Sequence, residues 1–207
     1  MTRRLLAILV ALTFLFAAAS AGAQFGPLKK KKEEKPAEKK EEKKEEPATT
    51  TSSTSTVATK AVNWTENGIT FEVPGNWQQM VMQRDIASFM QIPAEDSAGL
   101  NTTISRMGGS FPAENSLKAT RDDAARKKQN KEYVSFEDYN IGKVKGVMWI
   151  EAEKASPDDV RRMTWTGFQK KNGWNQVIVH LSSKSGAFSK YEATFRKVLA
   201  SLKVESE

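Results

Sequence analysis

The chain lacks cysteine and has a single histidine, His180. Without cysteine there can be no disulfide, no thiolate metal site, no thiol nucleophile and no cysteine to carry a lipid anchor. With one imidazole, most histidine-based catalysis is excluded as well. We therefore predict no cofactor and no metal site, and we expect the chain not to be an enzyme.

A strongly basic folded surface is also missing. The formal charge is +7 over 207 residues, but most of this excess lies before residue 61. From residue 61 onward, 20 basic residues face 18 acidic ones. Because nucleic-acid binding needs a concentrated basic patch, we expect no nucleic-acid partner.

The first residues have the three parts of an export signal. Residues 1–4 are basic, residues 5–19 are apolar apart from Thr13, and Ala21-Gly22-Ala23 has the small side chains that signal peptidase accepts. The pattern predicts cleavage after Ala23 and a periplasmic or secreted protein. The alternative is an uncleaved anchor, because about 20 apolar residues suffice to span a bilayer. We expect no other membrane contact.

A hydrophilic segment follows the signal. Residues 29–47 contain only Lys, Glu, Pro and Ala, and residues 49–56 contain only Ser and Thr. Such a segment has too few apolar groups to offset about 1–2 kcal/mol of backbone entropy per ordered residue. We therefore predict that residues 24–60 form a disordered, charged tether and that residues 61–207 form one domain.

The domain begins with β patterns. Residues 61–65 and 69–73 are separated by Glu66-Asn67-Gly68, and Asn-Gly is typical of a hairpin turn with positive φ at both positions. Four further strand-length runs follow in the second half, at 133–139, 145–152, 162–168 and 174–181. Their short connections require antiparallel neighbours. Two of these runs are apolar on both faces, which predicts strands covered on both sides.

Two helices complete the pattern. Residues 116–128 contain good helix formers with a thin apolar stripe of Leu117 and Ala124. The C-terminal segment has a broad stripe at three- and four-residue steps, formed by Phe188, Tyr191, Phe195, Val198, Leu199 and Leu202. We predict an α+β fold: a twisted antiparallel sheet with the C-terminal helix on one face and loops plus the mid-chain helix on the other.

Two stretches of the domain resemble a known superfamily. They are Ile69-Thr70-Phe71-Glu72-Val73-Pro74-Gly75-Asn76-Trp77 and the final helix from Tyr191 to Leu202. Together with the order of strands and helices, they are similar to the PsbP-like α/β/α sandwich superfamily, which includes PsbP, a nuclear Ran-binding import factor and many exported bacterial proteins. The resemblance implies a binding or accessory role without catalysis. It implies no shared catalytic residues.

Three side chains are candidates for ligand or partner contacts. Trp64 and Trp174 border Asn-Gly turns and could present aromatic faces at the surface. His180 ends an alternating strand, where a structural role and a catalytic or metal-binding role are both open. Three acidic pairs, at residues 122–123, 137–138 and 158–159, lack the spacing of a calcium loop.

The sequence leaves three functions in competition. The first is an exported, non-enzymatic binding or accessory domain that acts in the cell envelope on an envelope protein or wall component. The second is an envelope hydrolase, which would need two carboxylates to meet in a cleft. The third is a small-ligand carrier or sensor, which would need an apolar cavity.

Overall fold

The computed structural model describes residues 58–207. The predicted export signal, and the predicted tether up to residue 57, lie outside the described residues. Among the residues described, no helix is both long enough and apolar enough to cross a membrane. The first strand starts at Thr59, two residues before the predicted start of the domain.

The described chain contains ten strands and two α-helices. In chain order they are β1 Thr59–Trp64, β2 Ile69–Pro74, β3 Trp77–Met82, β4 Ile86–Gln91, β5 Gly99–Arg106, α1 Ala113–Gln129, β6 Tyr133–Asp138, β7 Gly146–Glu151, β8 Val160–Lys170, β9 Trp174–Lys184, α2 Phe188–Ser201 and β10 Lys203–Val204. Two short 3₁₀ turns, Thr65–Asn67 and Ser185–Ala187, join elements. The predicted strands and both predicted helices are therefore present.

The strands form two antiparallel sheets where we predicted one. The large sheet has seven strands in the order β3-β4-β5-β9-β8-β7-β6, and the small sheet has three, in the order β1-β2-β10. Strands β6 to β9 form the expected meander, and β5 pairs with β9 to join the first half of the domain to the second. The small sheet separates because β2 pairs with the C-terminal β10 instead of β3.

The inner face of the large sheet holds the main core. Trp165 and Val177 from this sheet are fully buried against Phe188 and Phe195 of α2. The small sheet adds Ile69 and other apolar side chains to the same cluster. The C-terminal helix therefore covers this face as predicted, but it shares the cover with β1, β2 and β10.

The outer face of the large sheet is covered only over part of its width. Helix α1 buries Ala113, Leu117 and Ala124 against β6, β7 and β8, where a second cluster includes Val147 and Phe168. The predicted α+β sandwich is thus confirmed, with helices on opposite faces of an antiparallel sheet. The prediction that β9 is covered on both sides is wrong, because α1 covers only its start, at Trp174, and Ile178 is only half-buried.

The two Asn-Gly turns differ in backbone conformation. At the turn before β9, Asn172 and Gly173 have φ of 54° and 102°, which confirms positive φ at both positions. At the first turn only Gly68 has positive φ, at 62°, because the chain makes a 3₁₀ turn over Thr65–Asn67 and leaves Asn67 buried. The amide of Asn67 then donates a 2.8 Å hydrogen bond to the carbonyl of Arg84.

Candidate binding site on the outer face of the sheet

Strand β9 shows why part of the outer face is open. Its odd-numbered residues from Asn175 to Ser183 are all buried, whereas its even-numbered residues from Trp174 to Lys184 are all partly exposed. Side chains alternate between the two faces of a strand, so the even-numbered set points outward. Because α1 covers only part of β6 to β8, an open groove remains beside it, lined by outward side chains of β5, β6, β7, β8 and β9.

A row of side chains crosses the sheet within this groove. Asn101 of β5 pairs with His180 of β9, His180 pairs with Thr164 of β8, and Thr164 pairs with Trp149 of β7. Residues directly opposite each other on neighbouring strands place their side chains on the same face, about 4.5–5.5 Å apart at Cβ. The strand register therefore places three polar side chains, which form the floor of the groove, in line with Trp149, which belongs to its aromatic wall.

His180 lies in the middle of the floor. Its Nδ1 and the Oγ1 of Thr164 share a hydrogen bond of 2.9 Å. Burial lowers the pKa of the imidazole below its ordinary value, and the guanidinium of Arg162 lowers this pKa further, against a smaller opposite effect of Glu151. The ring is therefore neutral near pH 7 and available as a hydrogen-bonding group. Its orienting partner is a hydroxyl, so it lacks the carboxylate that positions a catalytic histidine.

The wall of the groove is an aromatic pair. The rings of Tyr133 and Trp149 stack with centroids 5.7 Å apart and planes inclined by 13°. Both side chains are half-buried, and both line the groove. The ammonium group of Lys127 in α1 lies 5.4 Å from the centre of the Tyr133 ring, within the range of a cation–π contact. A stacked, partly exposed pair offers a flat apolar surface to a ligand.

One end of the groove is charged. Arg162 and Glu151 line it, and their side chains approach to 3.5 Å. Lys154 also contacts Glu151, at 2.8 Å. Glu151 is the one carboxylate among the residues that line the groove. Both basic side chains thus pair with this carboxylate.

The groove has a volume of about 660 Å³ and is open to solvent. Its floor and rim carry hydroxyl, amide and imidazole groups from Asn101, Thr103, Thr164, His180 and Ser182. The side-chain oxygen of Asn101 is buried and has no hydrogen-bond partner within the described part of the chain.

The three candidate side chains do not form one site. Trp64 is 4% exposed and its indole donates a 3.1 Å hydrogen bond to the carbonyl of Gln83, so the expectation of an exposed ring is wrong. It faces the core because β1 packs its even-numbered side chains inward. Trp174 is half-buried and lies on the same outward face of β9 as His180, but it lines a different depression.

The acidic pairs take part in ion pairs at the surface. Asp122 contacts Lys118, Asp123 contacts Lys127, Asp138 contacts Arg121 and Asp158 contacts Lys184. Lys127 and Arg126 hold the pKa of Asp123 below its ordinary value, mainly through the hydrogen bond from Lys127. Over residues 58–207 no group of three or more His, Asp and Glu side chains comes together as a metal site would require.

The sequence patterns did not predict most of the residues that line the groove. Tyr133, Trp149 and Arg162 lie on the consecutive strands β6, β7 and β8, and their membership of one surface depends on the register between these strands. The available signal was alternation, because Thr164, His180 and Ser182 are polar at even-numbered positions whose odd-numbered neighbours are apolar or buried. A polar outward face beside a short covering helix is what this alternation indicates.

Comparisons with known proteins find similar solved structures. No protein-family model matches the chain, and curated proteins give no significant match. The cyanobacterial PsbP of Synechocystis is 13% identical and matches 77% of this chain and 100% of its own, with a TM-score of 0.47. A protein of Bacteroides thetaiotaomicron is 13% identical over 72% of this chain and 49% of its own, with a TM-score of 0.45.

The Ran-binding protein Mog1p of Saccharomyces cerevisiae also matches. It is 9% identical over 72% of this chain and 97% of its own, with a TM-score of 0.44. A PsbP and a Ran-binding protein are thus among the similar structures, as the sequence resemblance predicted. The fold class rests on the strand order and helix positions described above.

Proposed function

We propose that the chain is an exported, non-enzymatic binding domain, and that it holds a component of the cell envelope in the groove around His180. The observation that carries this proposal is the open part of the outer face, where an aromatic wall, a polar floor and a charged end meet. Ligand sites in proteins combine apolar surface with a few converging polar groups in this way. The partner is an envelope protein or wall component.

The shape of the groove favours a chain-like ligand over a compact one. It is open to solvent along the sheet, so it does not enclose a small molecule as a carrier would. A ligand segment with one apolar face and hydroxyl or amide groups would stack on Tyr133 and Trp149 and bond to the floor.

The hydrolase alternative has less support. Two carboxylates on opposite sides of a scissile bond would stand about 5–10 Å apart in a cleft. Glu151 is the one carboxylate among the residues that line the groove, and it pairs with Arg162 and Lys154. A purified chain that turned over an envelope polymer without help would nevertheless overturn the proposal.

Site-specific crosslinking tests the binding surface. A photo-crosslinking amino acid would replace Ser182, which lines the groove, in the full chain expressed in its own organism. The matched control is Ser189, an exposed serine at the start of α2, the helix that covers the opposite face. We expect one discrete crosslinked partner from position 182 and none from position 189. Equal crosslinking from both positions, or none from 182, would contradict the proposal.

Export is tested separately from binding. The proposed signal predicts a mature chain that begins at Gln24 and is recovered from the periplasm or the medium. N-terminal sequencing of the fractionated protein gives the answer. A cytosolic chain that retains residues 1–23 would remove the envelope from the proposal while leaving the groove in place.

A further inference from the structure

A second, smaller depression lies on the outer face, away from the groove. It is enclosed by the start of α1, the end of β8 and the start of β9, and it shares no lining residue with the groove. Its apolar part consists of Ala113 and the larger side chains of Leu117, Phe168 and Trp174. Trp174 and His180 are six residues apart on one strand, which separates the two sites by about 20 Å at 3.3 Å per residue.

The size of this depression corresponds to one ring. Its volume is about 170 Å³. A cavity of about 150 Å³ lined by Leu, Ile and Phe binds benzene in another protein, so this space accepts a single six-membered aromatic ring. Leu117 and Phe168 are buried and Trp174 is half-buried, so all three present fixed apolar surface to the space.

The rim of the depression is basic. Lys143, Lys145 and Lys170 line it, together with the carboxylates of Glu114 and Glu207. Lys145 contacts Glu114 at 3.5 Å, while Lys143 and Lys170 make no ion pair within the described part of the chain. With three ammonium groups and two carboxylates, the rim keeps a positive excess around an apolar floor, which complements a ligand that carries negative charge next to a ring.

We infer that this depression binds a small aromatic carboxylate with one ring, seated between Leu117, Phe168 and Trp174 and paired with Lys143 and Lys170. The ring removes apolar surface from water, and the carboxylate remains at the rim within reach of the lysines. This site is independent of the groove, because neither its residues nor its ligand chemistry enter the proposal for His180.

The test uses 3-phenylpropionate as the probe. The full chain, labelled with ¹⁵N, is titrated with this acid while the indole N–H signal of Trp174 is followed by NMR. Two analogues separate the contributions: 3-phenylpropanol keeps the ring without the charge, and propionate keeps the charge without the ring. We expect a saturable shift of the Trp174 signal with 3-phenylpropionate, weaker binding of the alcohol and no binding of propionate.

A lysine variant tests the charge. The double variant Lys143→Gln/Lys170→Gln changes two exposed side chains, so the fold is retained. We expect it to weaken 3-phenylpropionate roughly three- to tenfold and to leave the alcohol unchanged, as expected for loss of two exposed charge contacts. The matched control Lys197→Gln, on exposed surface of α2, should change neither affinity.

Three results would overturn the inference. The first is the absence of a saturable shift at Trp174. The second is equal binding of the acid and the alcohol, with no effect of the lysine variant. The third is a shift confined to the residues of the groove, such as Trp149, with Trp174 unchanged. None of these results bears on crosslinking at Ser182, so the proposal for the groove and the inference for this depression are tested independently.

Discussion

At the scale of single residues, His180 makes the stability of the domain depend on pH. Burial and Arg162 lower the pKa of its imidazole in the folded chain, whereas an unfolded histidine has a pKa of about 6.5. Below about pH 6.5 the unfolded chain therefore binds the proton first, and the free energy of unfolding falls as the pH falls through the lowered folded pKa. The contribution of the neutral His180 ring to the free energy of unfolding is fully present above about pH 6.5.

Replacing His180 should reduce this pH dependence. We expect His180→Asn to lose less stability than the parent chain between about pH 7 and pH 5, measured as free energy of unfolding in urea. Asp96 and Asp123 have pKa values below their ordinary 3.8, so their contributions to stability are lost only below this pH window. Equal slopes in the two proteins over this window would show that His180 does not titrate as described.

The packing of the Trp165 indole depends on two glycines. Gly146 and Gly167 face each other across β7 and β8, and the fully buried indole of Trp165 lies over both. A Cβ on Gly167 would stand 2.7 Å from Cζ2 of that ring and 2.9 Å from the carbonyl oxygen of Lys145. The indole nitrogen also donates a 2.7 Å hydrogen bond to the carbonyl of Tyr139, which prevents the ring from moving aside.

Gly167→Ala should therefore destabilise the domain by about 1–3 kcal/mol, the usual cost of forcing extra volume into a packed core. The matched control is Gly108→Ala, because a Cβ there meets nothing within 4 Å. That control should change stability by no more than about 0.5 kcal/mol. Chemical denaturation of both variants measures the difference, and similar stabilities would contradict the packing argument.

At the scale of elements, the two helices differ in what they bury. Helix α2 buries five apolar side chains, and the fully buried Phe195 touches the rings of Trp77, Phe188 and Tyr191 with centroids 6.3, 5.6 and 6.0 Å away. Helix α1 buries one large side chain, Leu117, together with two alanines. The thin stripe predicted for α1 is thus confirmed, and α2 provides most of the helical contribution to the core.

Phe195→Ala should cost about 3–5 kcal/mol, because it removes a buried ring and leaves a cavity. Arg196→Ala is the control on the same helix: its ion pair with Glu192 is exposed, so its loss should cost less than about 1 kcal/mol. Urea denaturation of the two variants checks this order. A small effect at Phe195 would mean that α2 does not anchor the inner face.

At the scale of the whole molecule, Gln169 joins the two sheets. Its side chain is 1% exposed, and its amide donates to the carbonyl of Asn67 at 2.8 Å and to the carbonyl of Glu205 at 2.7 Å. Gln169 belongs to the large sheet, while Asn67 and Glu205 flank the strands of the small one. One side chain therefore satisfies two backbone carbonyls that the sheets themselves leave unpaired.

Gln169→Leu keeps the approximate volume and removes both donors. We expect a loss of about 1–3 kcal/mol, mainly from the carbonyl of Asn67, which is left buried without a partner. Hydrogen exchange should also accelerate at the amide of Glu205, which donates to the carbonyl of Gly68. Gln176→Leu, on the half-buried outer face, is the matched control and should cost less. Unchanged exchange at Glu205 would contradict a linking role for Gln169.

Local patterns predicted the elements well. Alternation identified the strands of the second half, and three- and four-residue steps identified α2, because both periodicities follow from backbone geometry. Asn172-Gly173 adopted the expected turn, whereas Asn67-Gly68 did not, since the side chain of Asn67 is recruited to the carbonyl of Arg84. The same dipeptide thus gave different turns where a distant partner intervened.

By itself, the sequence determined the antiparallel strands, the two helices and their apolar faces, because these depend on neighbours within a few residues along the chain. The tertiary structure alone decided that β2 pairs with β10, that Trp64 faces the core and that α1 leaves β5 and most of β9 open. Each of these depends on hydrogen bonds and packing between segments far apart in the chain, and no local periodicity encodes which segments meet.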